Sequence, residues 1–277
     1  MVAQRQNRSG SQARSVLITG ASSGIGRGLA LSYAAPGVRL ALVGRNAARL
    51  AETAALCEAR GASVVCGQID VQDRGALEIW IRAIDDECPI DLAIASAGVP
   101  GGRSFGRVLE DPDRARAIIA TNLVGTMNTL DPVAELMLMR GRGTIAVLGS
   151  FSALRGFPFC PAYGASKAAV HAYAEALRAA LGGYGIKVSI IAPGFVDTPL
   201  NQDAACPKPL LMQVHRAVSI IRRGLDRGAP LIVFPRVLYW GLMIGLLLPR
   251  RLVDWAVARV DVDVPGRVEP AVDPASD

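Results

Sequence analysis

Tyr163 and Lys167 stand four residues apart in the run Pro161-Ala162-Tyr163-Gly164-Ala165-Ser166-Lys167. On a helix the two side chains leave one face, a turn apart. A free tyrosine has a pKa of about 10, too high to exchange protons readily near neutrality. A neighbouring ammonium favours the phenolate and draws that value toward the operating pH, where a general acid or base works best. The same spacing occurs on any solvated helix face, so the pair acquires meaning only from the elements around it.

Those elements alternate. Ser15 to Thr19 is a short apolar run that reads as a buried parallel strand. It runs into Gly20-Ala21-Ser22-Ser23-Gly24-Ile25-Gly26, and a helical pattern follows to about Ala35. Strand, glycine turn and helix together are the setting of a phosphate-binding loop, in which glycines let the backbone approach the anion and the helix start offers free N–H groups. A glycine-rich stretch can also be only a turn. Val38 to Val43 forms a second strand ending in Gly44-Arg45, with no carboxylate at that point. In dinucleotide folds an acid there binds the ribose 2′-hydroxyl of NAD, whereas an arginine accommodates the 2′-phosphate of NADP. NADP(H) is therefore favoured over NAD(H); the bland reading of Arg45 is a solvated side chain opening a helix.

Asn46 to Arg60 reads as a helix stopped by Gly61. A third strand, Ser63 to Ile69, delivers Asp70 and Val71; the carboxylate could accept from an adenine amino group or cap the helix that runs from about Asp73 to Glu87. A fourth strand, Asp91 to Ala95, closes with Ser96-Ala97-Gly98. A long helical stretch from Asp111 to Met139 carries Asn122, a residue unfavourable in a helix interior unless its side chain finds bonds. Thr144 to Gly149 is the fifth strand and places Ser150 at its carboxyl end, thirteen residues before Tyr163. A helix from Pro161 to Leu181 follows, then a sixth strand, Lys187 to Ile191, and the run Pro193-Gly194-Phe195-Val196-Asp197-Thr198. Strands alternating with helices over this length imply right-handed βαβ units and a parallel sheet in an α/β fold.

Composition narrows the field. The 277 residues are 51% hydrophobic and 19% charged, with a net charge of +6. The arginines are scattered without aromatic interleaving, so no nucleic-acid footprint is evident. Five cysteines at 57, 66, 88, 160 and 206 show no metal-ligand spacing and suit free thiols in a reducing cytoplasm. Only His171 and His215 are present, which excludes a histidine-rich metal site; His171 is expected on a helix surface and His215 in a loop. Residues 1–13 lack an apolar segment of the signal-peptide kind and, like 261–277, read as disordered tails around a single catalytic domain at 14–260.

From Ser15 to Thr198 the pattern resembles the short-chain dehydrogenase/reductase family. The resemblance rests on Gly20-x-x-x-Gly24-x-Gly26, Asp70, Ala97-Gly98, Asn122, Ser150, Tyr163-x-x-x-Lys167 and Pro193-Gly194, all in order. It implies that Tyr163 exchanges a proton with the substrate oxygen, that Lys167 lowers its pKa and binds the nicotinamide ribose, and that Ser150 hydrogen-bonds the substrate oxygen. Asn122 would hold a water leading from Lys167 to solvent. The fold that the resemblance implies is of the Rossmann type, a doubly wound parallel sheet of about seven strands in the order 3-2-1-4-5-6-7. The dinucleotide would lie along Gly20, Ser22, Ser23, Gly24, Ile25, Gly26, Arg45, Asp70, Val71, Ala97, Gly98, Pro193, Gly194, Val196 and Thr198. The family often carries two asparagines before its Ala-Gly after the fourth strand; here Ala95-Ser96 stands in that place. The implied activity is hydride transfer between a nicotinamide and a ketone or secondary alcohol, in a homodimer or homotetramer. A cofactor-binding protein without turnover is the alternative, and a nucleotide-sugar epimerase or dehydratase ranks below it.

Beyond the sixth strand, 198–227 is expected to form the substrate lid, with a helical pattern at Val214, Val218, Ile221 and Leu225, and Pro230 to Pro235 a seventh strand. Val237 to Leu248 is twelve residues without charge, between Arg236 and Arg250-Arg251, within an apolar helical ending at 237–260. It is too short to span a bilayer, which needs about 20 apolar residues. It could cover the substrate cleft or a subunit interface, touch a membrane surface, or pack as a core helix. An ending of this kind points to a lipophilic substrate and leaves the protein cytoplasmic or peripheral at a membrane.

Overall fold

The computed structural model describes residues 14–103, 107–202, 208–249 and 251–253. The tails expected at 1–13 and 261–277, and positions 254–260, lie outside them. In chain order the elements are β1 (Ser15–Thr19), α1 (Gly24–Tyr33), β2 (Arg39–Val43), α2 (Ala47–Glu58), β3 (Ser63–Gly67), α3 (Arg74–Glu87) and β4 (Leu92–Ala95). There follow α4 (Pro112–Ile119), α5 (Gly125–Arg140), β5 (Gly143–Leu148), α6 (Pro161–Leu181) and β6 (Ile186–Pro193). The last are β7 (Val196–Asp197), α7 (Pro199–Gln202), β8 (Met212–Gln213), α8 (Val214–Asp226), β9 (Leu231–Phe234) and α9 (Arg236–Gly245).

Every residue of β1 is buried. A strand covered on both faces reads as a continuous apolar run rather than an alternation. Successive side chains leave opposite faces. Val16 and Ile18 join Leu29 and Tyr33 of α1 and Ile221 of α8 in one core. Leu17 joins Leu77 and Ile81 of α3, Leu130 of α5 and Val170 of α6 in the other. The sheet order is β3-β2-β1-β4-β5-β6-β9, with every neighbouring pair parallel. This is the expected doubly wound order; the seventh sheet strand is β9 only because β7 and β8 pair with each other as a separate ribbon. The order reverses between β1 and β4, where Thr19 lies opposite Ala95. Such a switch point opens a crevice at the carboxyl ends of the strands.

Three stretches depart from the expectations. Asp111 does start a helix, as an N-cap accepting from Asp113 N at 3.0 Å and Arg114 N at 3.1 Å. The long helix is interrupted, however, by a π-helical turn at Ala120–Val124 around Asn122. Second, the expected lid at 198–227 divides. Its second half is α8, whose Ala217, Val218, Ile221 and Leu225 are core residues packed toward α1. The period-3.6 apolar pattern there reflects a helix covering the sheet, and His215 lies exposed on that helix rather than in a loop. Third, no residue of α9 is buried, which removes the core-helix reading of 237–248. Among the described residues no helix is long and apolar enough to cross a membrane.

The placement of α8 has a measurable consequence. Ile221 is fully buried. Ile221→Ala is expected to lower unfolding free energy by about 2–5 kcal/mol in urea titrations; a lid residue would leave the midpoint unmoved.

Candidate active site

The glycine loop occupies the crevice. Gly20 has φ +69°, a left-handed conformation that glycine adopts without strain, and Gly26 sits so close beneath it that an added Cβ would come within 2.2 Å of the Gly20 carbonyl oxygen. Thr19 Oγ1 accepts from Ser96 N at 3.2 Å and Ala97 N at 3.4 Å, tying the loop to the end of β4. Ser23 is the N-cap of α1 but makes no side-chain cap bond. The first N–H groups of α1, from Gly24, Ile25 and Gly26, therefore remain without a side-chain partner at the positive end of the helix dipole. The Ile25 side chain itself packs into the core. A dinucleotide pyrophosphate fits such a start: backbone close enough to touch, N–H groups free, no side chain in the way. Thr198 stands over the loop, its Cγ2 within 3.3 Å of where a Cβ on Gly24 would lie.

Ser22 lies beside Gly44, at the carboxyl end of β2. Arg45 Nη1 is 3.5 Å from Asp70 Oδ2, with the arginine exposed and the aspartate half-buried. Asp70 also accepts from Gln72 N at 2.9 Å, while the residue that caps α3 is Asp73, which accepts from Ala76 N at 3.0 Å. Of the two readings of Asp70, the helix cap is thus excluded. Val71 turns its side chain into the core against Gly125, and its carbonyl accepts from Asn128 Nδ2 at 2.9 Å.

Ser150, Lys167 and Asn122 are buried and Tyr163 is half-buried. Lys167 Nζ donates to Leu148 O at 2.8 Å and lies 5.8 Å from the centre of the Tyr163 ring. The Ser150 hydroxyl oxygen accepts from Ser152 N at 3.1 Å, and its hydroxyl also bonds the Tyr163 side chain. A Cβ on Gly98 would stand 3.2 Å from Asn122 Oδ1 and 3.7 Å from Lys167 Nζ, so these three share one corner. Asn122 is 0% exposed; its Oδ1 accepts from Val99 N at 2.8 Å, and its Nδ2 donates to Val99 O at 3.1 Å and Ser166 Oγ at 3.2 Å. Gly194 lies between Phe151 and Pro235, and its N–H donates to Phe234 O at 2.8 Å. Next to it, Val196 is buried and its carbonyl accepts from Asn201 Nδ2 at 2.9 Å.

The electrostatics of the pair differ from the expectation. Burial pushes the Tyr163 phenol up to about 12, against the opposing effect of its hydrogen bond with Ser150. Burial likewise pushes the Lys167 ammonium down to about 8. Desolvation is thus the largest influence on both groups and favours the protonated phenol.

Two side chains join the site without a motif to announce them. Glu110 is buried before α4; Oε1 accepts from Gly102 N at 2.8 Å and Oε2 from Ala162 N at 2.9 Å. Cys160, the N-cap of α6, makes no side-chain cap bond, so Glu110 supplies that function from fifty-two residues away. A carboxylate suits the positive end of a helix. His171 is not on the helix surface but half-buried behind Ser150, whose N–H it accepts at 3.4 Å through Nε2. It lies one turn beyond Lys167, and the run 163, 167, 171 at spacing four was the available signal.

The sequence profile described as "short chain dehydrogenase" matches residues 14–207. An uncharacterized oxidoreductase of Myxococcus xanthus is 38% identical over 248 residues, 89% of this chain and 97% of that protein. A short-chain dehydrogenase from Sphingobium yanoikuyae in complex with NADPH superposes with a TM-score of 0.74 at 28% identity, covering 89% of this chain and 96% of that one. A short-chain dehydrogenase from Mycobacterium paratuberculosis bound to NAD gives 0.67 at 26%, over 76% and 89%. The chain belongs to the short-chain dehydrogenase/reductase family. It is an oxidoreductase of CH–OH or C=O groups that works with a nicotinamide cofactor.

The imidazole provides a pH test. Burial, aided by the Lys167 charge, lowers the His171 pKa from 6.5 to about 4. Between those values the unfolded chain binds more protons, so stability rises with pH across the window and is lost as pH falls through it. In His171→Gln the slope of the urea midpoint between pH 4 and 6.5 is expected to flatten, with this difference vanishing above the window.

Proposed function

We propose that the chain is an NADP(H)-dependent reductase or dehydrogenase of a lipophilic ketone or secondary alcohol. The observation that carries this reading is the grouping of buried Ser150 and Lys167 with half-buried Tyr163 at the carboxyl end of β5, in a fold whose α1 starts without a side-chain cap. When bound, the nicotinamide supplies or accepts the hydride. Tyr163, protonated at neutral pH, gives its phenolic proton to the substrate oxygen during reduction. Ser150, whose hydroxyl bonds the Tyr163 oxygen, would turn its hydrogen to the substrate oxygen and stabilise the charge that develops there. Lys167 holds the ribose hydroxyls and restores the proton. Asn122 Oδ1 accepts one bond, from Val99 N at 2.8 Å, and so keeps a lone pair on which a relay water would rest.

Gly20, Ser22, Ser23, Gly24, Ile25 and Gly26 would cradle the pyrophosphate. Asp70, Val71, Ala97 and Gly98 would border the adenosine and nicotinamide ribose, and Pro193, Gly194, Val196 and Thr198 the nicotinamide side. Arg45 would take the 2′-phosphate by exchanging Asp70 for it; no acid stands at the end of β2 to repel that group. A homodimer or homotetramer fits the apolar recess of about 410 Å³ on the outer side of α4 and α6, lined by Ala115, Ile119, Ala120, Val124 and Ala162. The reading places the enzyme in the cytoplasm with peripheral membrane contact through 237–248.

Tyr163→Phe is expected to lower NADPH-dependent reduction of a carbonyl panel by at least about a hundredfold, as loss of a general acid does; unchanged turnover would sink the mechanism. Arg45→Gln is expected to raise KM for NADPH about tenfold or more while KM for NADH stays nearly constant, because one charge-assisted bond to phosphate is lost.

A further inference from the structure

The apolar helix at the end of the described chain faces outward. Val237 is 76% exposed, Trp240 55%, Ile244 61% and Leu247 85%. Their spacing of three, four and three residues lines them up along one side of α9 and the turn that continues it. The opposite side holds the helix to the body: the Tyr239 ring packs on Phe151 at 6.1 Å between centroids, and α9 follows directly on β9. Phe151 follows Ser150 in the chain, so the ring contact ties α9 to the segment that carries Ser150. An apolar stripe of this size held in water calls for a covering surface.

The charges indicate which surface. From Arg227 to Val253 the chain holds four arginines, at 227, 236, 250 and 251, and no acid. Arg236 opens α9 and Arg251 follows its end; both are exposed, and neither makes an ion pair among the described residues. At ten residues α9 is only about 15 Å long, so it can lie in an interface but not cross it. A Trp and aliphatic stripe flanked by arginines matches the boundary between acyl chains and anionic headgroups: the stripe enters the apolar layer, and the guanidinium groups reach back to phosphate.

We propose that α9 docks the enzyme on an anionic lipid surface, with Val237, Trp240, Ile244 and Leu247 inserted and Arg236 and Arg251 at the headgroups. The reacting end, tied to α9 through Phe151 and Tyr239, then receives its lipophilic substrate from the bilayer rather than from water. This last step rests on the reading of Ser150 and Tyr163 as the reacting pair; the docking itself does not.

Cosedimentation of the full chain with vesicles tests it without turnover. Vesicles of phosphatidylcholine and phosphatidylglycerol in equal parts are expected to pellet the protein, and phosphatidylcholine alone to pellet about tenfold less. The double variant Ile244→Ser/Leu247→Ser, altered only at exposed positions, is expected to stay in the supernatant while reducing a water-soluble carbonyl at the parent rate. Equal sedimentation of parent and variant would overturn the proposal. So would a stripe occupied by a second copy, seen as a dimer of the parent that the double variant dissociates in ultracentrifugation. Vesicle binding that appears only after removal of residues 254–277 would assign the stripe to the chain's own ending and overturn it equally. Failure of NADPH oxidation with normal vesicle binding would count against the catalytic reading alone.

Discussion

The amide of Asn122 is the joint on which the reacting end depends. Both donor hydrogens and one lone pair of its oxygen are used within the protein, on the two backbone groups of Val99 and on Ser166 Oγ. Val99 belongs to the segment leaving β4, and Ser166 lies between Tyr163 and Lys167 on α6. Ser166 in turn donates to Tyr163 O at 2.7 Å. One side chain thereby sets the distance between the strand end that carries Gly98 and the helix that carries both ionisable groups. Aspartate offers no donor and leucine no polar atom, so neither can replace it. The π turn at Ala120–Val124 belongs to the same arrangement, since an extra residue in the turn changes the direction in which position 122 points.

The two ends of the crevice follow opposite electrostatic rules. At the reacting end desolvation dominates: it keeps the Tyr163 phenol protonated, lowers Lys167 and keeps the His171 imidazole neutral. Glu110 remains acceptable there because it receives two backbone N–H bonds and sits at a helix start. At the far end Arg45 is exposed and Asp70 half-buried, and an ion pair so placed contributes only about 0–1 kcal/mol. The rigid half is suited to chemistry, and the soft half can trade one anion for another at little cost.

Local pattern carried most of this into view. The apolar runs, the glycine turn and the alternation of strands with helices are short-range signals, and they yield the parallel sheet and the glycine loop at the end of its first strand, while the strand order follows from the family resemblance. Ser150, Tyr163, Lys167 and Asn122 were singled out by their places at strand ends and within helices. What escaped was long-range or depended on which side of an element faces the core. Nothing near Glu110 shows that it caps a helix beginning at Pro161. The apolar period of Val214 to Leu225 suits a lid helix and a covering helix equally, and only its packing against α1 distinguishes them. His171 reads as a surface residue by type, yet the turn after Lys167 points inward at Ser150.

The small β7–β8 ribbon bears on how such a protein diversifies. Val196 pairs with Met212 and Asp197 with Gln213, so the chain that leaves the crevice at Thr198 returns beside its own point of departure. A loop clamped at its base adds closure cost only logarithmically, about 0.6 kcal/mol for each doubling of length. The segment between the two strands can therefore be lengthened, shortened or exchanged with little effect on the sheet and the two cores beneath it. A segment held at two fixed joints can be recombined as a unit while the seven-stranded sheet keeps its register.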